Sequence, residues 1–185
     1  MVLLATLKQS TTVLLIIASI FISAELPAQS KSIAIYGETI HTMAKTADGK
    51  WQQPISDGVV LIVDGKITAV GPQASVEVPE GALEMRGKVV TPGLIDARSV
   101  VGLAGWLNID HDSDHIERSS PIQPELAALD AYNPREPLIE WVRSFGVTTL
   151  HTGHAPGQLI SGQTFIVKTR GNSVDDAVVQ RQSMV

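Results

Sequence analysis

The chain contains no cysteine. That absence removes disulfides, thiolate metal ligands, a cysteine nucleophile and the lipid-bearing cysteine of a bacterial lipoprotein. Any metal would have to rest on histidine and carboxylates. Basic charge is also scarce: 14 Lys and Arg stand against 19 Asp and Glu, for a formal net charge of -5. With no basic stripe to neutralise a phosphate backbone, nucleic acid is not expected as a partner. A phosphate-binding loop with its Lys and Ser/Thr is missing, as is a Gly-x-Ser-x-Gly nucleophile elbow. Neither phosphate-loop nor serine hydrolase chemistry is supported. What the chain does have is 44% apolar residues against 18% charged ones, the balance of a folded body rather than a disordered one.

Long apolar runs are missing too, apart from one near the start. Residues 13–22 are apolar except for Ser19, Lys8 precedes them, and the small residues Ala24 and Ala28 follow before a polar stretch. This order predicts a secretory signal peptide over residues 1–28, cut after Ala28 or Ala24, and export to the periplasm or beyond. The alternative is an uncleaved membrane anchor, but a bilayer span needs about 20 apolar residues. No stable span is expected once the signal is removed.

Residues 29–90 read as short strands separated by turn residues. A strand over 32–36 ends at Gly37, and residues 58–63 and 66–70 flank Asp64-Gly65. Asp-Gly between two β-prone runs predicts a tight hairpin, because both central positions of that turn take positive φ. Residues 44–54 read as a loop. The texture changes after Gly87: a Pro92-Gly93 break, a brief strand, and an acidic loop over 108–120. The spacing then predicts a helix over 134–145, capped by Asn133, with Pro137 in its first turn and Gly146 at its end. Its apolar stripe is Leu138, Trp141, Val142 and Phe145. A strand over 147–152 follows, so strand, helix, strand predicts a right-handed parallel unit and an α/β second half.

These motifs, in this order, resemble the amidohydrolase superfamily, in particular its imidazolonepropionase-like and dihydroorotase-like members. The resemblance is carried by Asp64-Gly65-Lys66-Ile67 and by Gly87-Lys88-Val89-Val90-Thr91-Pro92-Gly93-Leu94-Ile95-Asp96-Ala97. Downstream it continues through Pro121 to Leu126, Leu129 to Pro134, Gly146 to Leu150 and Ser161-Gly162-Gln163. It implies part of a composite β-sandwich over 29–90 and the start of a (β/α)₈ barrel over 91–185, incomplete. The implied reaction is hydrolysis of C–N bonds in non-peptide or cyclic amides, assisted by a zinc-type divalent ion at the C-terminal mouth of the barrel.

In the family, a metal-binding His-x-His follows this first barrel strand, and here the same positions hold Arg98-Ser99-Val100. A guanidinium offers no lone pair, and a valine side chain has no donor atom. A barrel of this kind takes roughly 250 residues, so the resemblance implies that the chain stops near the second barrel strand and its following helix. The family's remaining ligands and its catalytic Asp would lie on later strands. A truncated gene or partial sequence, completion by a second polypeptide, and a degenerate remnant with a structural role all fit that reading. Two barrel strands alone would leave an open edge, and self-association is expected there.

His151 and His154 are the candidate metal-binding residues, at the end of the second barrel strand. Two imidazoles could bind an ion or orient a carbonyl. The competing reading is a pair of polar loop residues held by backbone, since residues three apart on a strand face opposite ways unless the chain turns at Gly153. The run from Asp110 to His115 does not match an EF-hand, which needs glycine at its sixth position and glutamate at its twelfth. His115 and Pro121 occupy those places. A looser site on His111 and His115 competes with a solvated loop, and His41 reads as structural. The expected function is an exported amidohydrolase-like protein that lacks a complete active site and does not bind its metal alone. The rival is a non-catalytic protein that keeps the barrel mouth as a small-molecule or peptide pocket.

Overall fold

The computed structural model describes residues 32–107 and 109–185. The signal peptide expected over residues 1–28, with its cleavage points, lies outside the described residues. The chain divides between Thr91 and Pro92 into two compact units.

The first unit is one four-stranded sheet, β1 (Ser32–Ile40), β2 (Ile55–Val63), β3 (Lys66–Pro72) and β4 (Leu83–Val90), in the order β3-β2-β1-β4. β1 and β2 pair antiparallel, as do β2 and β3, whereas β4 lies parallel to β1. β2 and β3 are joined through Asp64 and Gly65 at φ 50° and 76°, the two positive φ values that the Asp-Gly pair predicts. The first strand runs past Gly37 to Ile40, because Gly37 is itself paired on both sides, with Gly58 of β2 and Gly87 of β4. Ile40 covers the space these glycines leave: a Cβ on Gly58 would come 2.7 Å from its Cδ1, and one on Gly37 3.1 Å from its Cγ1. Ala34, Ile40, Val59, Val60 and Leu61 form the buried set of this unit. Leu83, Met85 and Val89 alternate along β4 and are exposed, as is Ile67 on β3.

The second unit is built on β5 (Leu94–Ser99), β6 (Val147–Thr152), β7 (Phe165–Lys168) and β8 (Val178–Gln180), in that order across the sheet. β5 and β6 are parallel and joined through the helix α1 (Pro137–Ser144), the strand, helix, strand unit that the sequence predicts. Beyond it the structure differs. No helix follows β6 directly. Residues 153–164 form a long loop, then β7 and β8 each pair antiparallel, with the one-turn α2 (Val174–Ala177) between them. The core of this unit packs Leu103, Leu129, Tyr132, Ile139, Leu150, Phe165 and Val167, with Tyr132 set edge-on to Phe165 at 5.1 Å between ring centroids.

The helix corrects two expectations. It starts at Pro137 rather than Pro134, and Asn133 does not cap it: its Oδ1 accepts from the N–H of Arg135 at 3.0 Å, a local Asx turn ahead of the helix. Pro137 takes the first helical position, where no N–H is required. The apolar stripe is also rotated from the expected one. Ile139 is the buried residue, at 4% exposure, with Val142 packed behind it, while Trp141 and Phe145 are 54% and 65% exposed and stack edge-on against each other. Gly146 closes the helix, its N–H donating to the Arg143 carbonyl at 2.9 Å. β5 is an edge strand, and Leu94 and Ile95 stand exposed on it.

Candidate ligand cavity at the strand ends

Because β5 and β6 run parallel, their C-terminal ends lie on the same side of the sheet, where open α/β sheets place their ligands. A cavity of about 380 Å³ sits there. Arg98 near the end of β5, His151 near the end of β6 and His154 just beyond it all line this cavity, together with the loop from Ala155 to Gly162 and Met184. The three positions singled out from the sequence as lying at the strand ends therefore share one space. Val100, the other substituted position, does not line it.

His151 is held at both ring nitrogens. Nδ1 lies 3.0 Å from the carbonyl oxygen of Ala97 and Nε2 lies 2.7 Å from Thr164 Oγ1. A carbonyl only accepts, so Nδ1 carries a proton, and in the tautomer protonated there alone Nε2 accepts from the Thr164 hydroxyl. That hydroxyl in turn accepts from the N–H of Met184 at 3.0 Å. His151 thus fastens β5, β6 and the start of β7 together, and its lone pair is already used.

His154 is only 6% exposed, and its Nε2 is buried without a hydrogen-bond partner among the described residues. Burial pushes its pKa below the ordinary histidine value, the Leu126 backbone opposes this, and the Arg98 charge adds to the depression. The balance favours the neutral ring. Arg98 also holds the loop mechanically, since Nη2 donates to the main-chain carbonyl of His154 at 2.5 Å. Gly162 makes the close packing possible. Its φ is +111°, and a Cβ there would lie 2.7 Å from His154 Nε2 and closer still to the carbonyl oxygen of Leu126.

A divalent ion does not fit this arrangement. A zinc site needs at least three side-chain donors with free lone pairs, held roughly tetrahedrally. Here one imidazole is committed, the other is buried against Gly162, and a permanent cation lines the same cavity. Among the described residues no group of three His, Asp or Glu is placed to hold a metal. The acidic loop gathers none either: Asp112 Oδ2 accepts from the Trp106 N–H at 3.0 Å. His115 lines a polar cavity of about 400 Å³ with Asp110 and Arg118, and His111 is not in its wall.

Sequence reasoning missed Glu136 and Tyr132. Glu136 precedes the helix and is buried, with Oε2 3.4 Å from the N–H of Gly105. Burial raises its pKa, against the backbone N–H groups of Gly102 and Gly105 and with help from Asp112. Tyr132 is pushed up to about 12 by burial and by the Glu136 charge, and its hydroxyl has no partner among the described residues. A carboxylate directly before a helical proline was the available signal, but it did not distinguish a buried acid from a solvated one.

Comparison with known proteins gives what the chain is similar to. No family model matches the chain. In sequence it is 31% identical over 114 residues to amidohydrolase tasK of Hapsidospora irregularis, a match covering 60% of this chain and 12% of that protein. In structure it is similar to an amidohydrolase from Thermotoga maritima MSB8, with a TM-score of 0.65 and 28% identity over 80% of this chain and 37% of that one. A shorter overlap, with a TM-score of 0.33 and 22% identity, joins it to ochratoxinase of A. niger over 40% of this chain and 16% of that one. The chain thus spans well under half the length of the relatives it matches. The sequence match and the first structural match agree in making the chain similar to part of an amidohydrolase. Among the described residues no helix is long and apolar enough to cross a membrane.

Proposed function

We propose that the chain forms part of an exported hydrolase of the amidohydrolase type, acting on C–N bonds of non-peptide or cyclic amides, and that the cavity at the ends of β5 and β6 faces the substrate. The observation that carries this reading is the convergence of Arg98, His151 and His154 on one cavity at the C-terminal side of a parallel strand pair. Export rests on the order of Lys8, the apolar run and Ala24 or Ala28. The described residues supply the wall of the pocket rather than the reacting groups: Arg98 positions the loop and His151 locks two strands, and neither is free to activate water. The nucleophile and any metal would come from residues elsewhere in the intact protein, as part of a composite sandwich and barrel.

The test has two parts. Metal analysis of the purified chain after gel filtration should find no stoichiometric divalent ion, and a retained equivalent would overturn the reading of the cavity. Hydrolysis of a panel of N-acyl amino acids and cyclic amides should be found in the protein as expressed from its own complete gene. A complete product inactive on every member would remove the hydrolase assignment. A second reading, a non-catalytic binder, is favoured by the two hydrogen bonds that already occupy the His151 ring.

A further inference from the structure

We infer that a second cavity of this unit, lined by Asp114, Glu117 and Asp130, binds an aliphatic amine carrying two separated positive charges. The cavity measures about 370 Å³ and shares only His154 with the one at the strand ends. Neither the hydrolase reading nor the binder reading of the strand-end cavity is needed for it.

Three observations carry it. The first is the sign of the lining. Three carboxylates stand in the wall, and no lysine or arginine does. Arg118, next to Glu117 in sequence, lines the polar cavity of Asp110 and His115 instead, and Arg98 lines the strand-end cavity. Asp114 and Asp130 take part in none of the ion pairs among the described residues. Glu117 Oε1 accepts from the Ser119 N–H at 2.7 Å, and hydrogen bonding to Ser119 holds its carboxyl below the ordinary glutamate value. The wall is negative and has no counter-ion of its own.

The second is spacing. Asp114 and Glu117 lie in the long loop after β5, whereas Asp130 comes from the 3₁₀ turn Ala128–Ala131. Among the described residues no three such groups are gathered closely enough to hold a metal ion. Negative charge spread around a cavity matches a ligand whose positive charges are themselves apart. The third is a polar group without a partner. His154 is 6% exposed, its Nε2 makes no hydrogen bond among the described residues, and it stands in this wall. Nε2 is turned toward Leu126, another residue of the wall: one Cβ built on Gly162 would lie 2.7 Å from Nε2 and 2.9 Å from Leu126 Cβ. A neutral imidazole has an acceptor nitrogen for an ammonium N–H. Ile116, Leu126 and the alanines Ala127, Ala128 and Ala131 give the wall an apolar side, suited to the methylene chain between two ammonium groups.

The experiment titrates the full chain with 1,5-diaminopentane and with its neutral isostere 1,5-pentanediol, by calorimetry near neutral pH and at low salt. There both amines are protonated and the carboxylates are charged, and screening is weak. Binding of the diamine about tenfold or more tighter than the diol supports the inference. The double variant Asp114→Asn, Asp130→Asn should then bring the two affinities together. Equal binding by the unmodified chain, or none of either compound, overturns it, and that comparison needs no variant to fold. Discrimination that persists in the folded double variant overturns it too, because the charge would then come from elsewhere. Release of the diamine by an equal concentration of magnesium chloride does the same: a compact ion would then fill the place assigned to the amine.

Discussion

Gly157 and Gly162 lie in the same loop, and the structure assigns them opposite tolerances. Gly162→Ala would place a Cβ 2.7 Å from His154 Nε2 and 2.9 Å from Leu126 Cβ, at a φ of +111° that L-residues rarely adopt. Backbone strain of about 1–3 kcal/mol and overpacking of about 1–3 kcal/mol give a destabilisation of roughly 2–6 kcal/mol. Relaxation is limited because the Gln163 N–H donates to the Leu126 carbonyl at 2.6 Å, tying the loop to the segment it would have to leave. Gly157 has no positive φ and nothing within 4 Å of its would-be Cβ, so Gly157→Ala should be neutral or stabilising by about 0.4–1 kcal/mol through the unfolded chain. Urea unfolding followed by tryptophan fluorescence resolves the pair. Trp106 and Trp141 lie in the second unit and Trp51 in the first, so a Trp51→Phe background reports the second unit alone. With a slope of roughly 1–3 kcal/mol per molar urea, the Gly162 variant should lose about 1 M or more of its midpoint while the Gly157 variant holds. Equal shifts for the two, or a Gly162→Ala protein as stable as the parent, would refute the packing described around His154.

Other expectations rest on the same unit. Tyr132→Phe should raise stability by about 1 kcal/mol, because it removes a buried hydroxyl with no partner; a loss of that size in the urea midpoint would mean the hydroxyl is bonded. Phe165→Ala removes a fully buried ring and its edge-on contact with Tyr132 and should destabilise by about 3–5 kcal/mol, read as loss of the cooperative fluorescence transition at low urea. Glu136 has a folded pKa raised above the ordinary 4.5, so its stabilising contribution is complete below that value and is lost as pH rises through the folded pKa. Glu136→Gln should therefore flatten the fall in urea midpoint between pH 4.5 and neutrality, and parallel curves for the two proteins would contradict the burial of that carboxylate.

How much of this was legible depended on the range of the interaction. The Asp64-Gly65 turn was readable because its two positive φ values are demanded by two adjacent residues. The parallel pairing of β5 with β6 was readable because a helix between two strands leaves few alternatives. The rotation of α1 was not. Periodicity locates an apolar stripe but not the element beneath it, and Ile139 lies on the core while Trp141 and Phe145 cover each other instead. Asn133 misled because its side chain satisfies either a helix cap or an Asx turn, and only the fold chooses. The antiparallel β7 was hidden for a related reason: the four residues Phe165–Lys168 have no period long enough to show their direction, which pairing with β6 alone sets. At the cavity, the sequence named Arg98, His151 and His154, but not the two hydrogen bonds of the His151 ring, since Ala97 approaches it from β5 and Thr164 from the residue just before β7.

The glycine row across β2, β1 and β4 ties substitutions together along the sequence. Ile40 fills the room left at Gly58 and Gly37, so alanine at position 58 is admissible only in company with a shorter residue at position 40, while Ile40→Val alone opens a void. In any set of related chains, these positions should change as a pair or not at all. A lineage drifting through either single step would pass through a weakened first sheet, so the two sites constrain each other's history although eighteen positions apart.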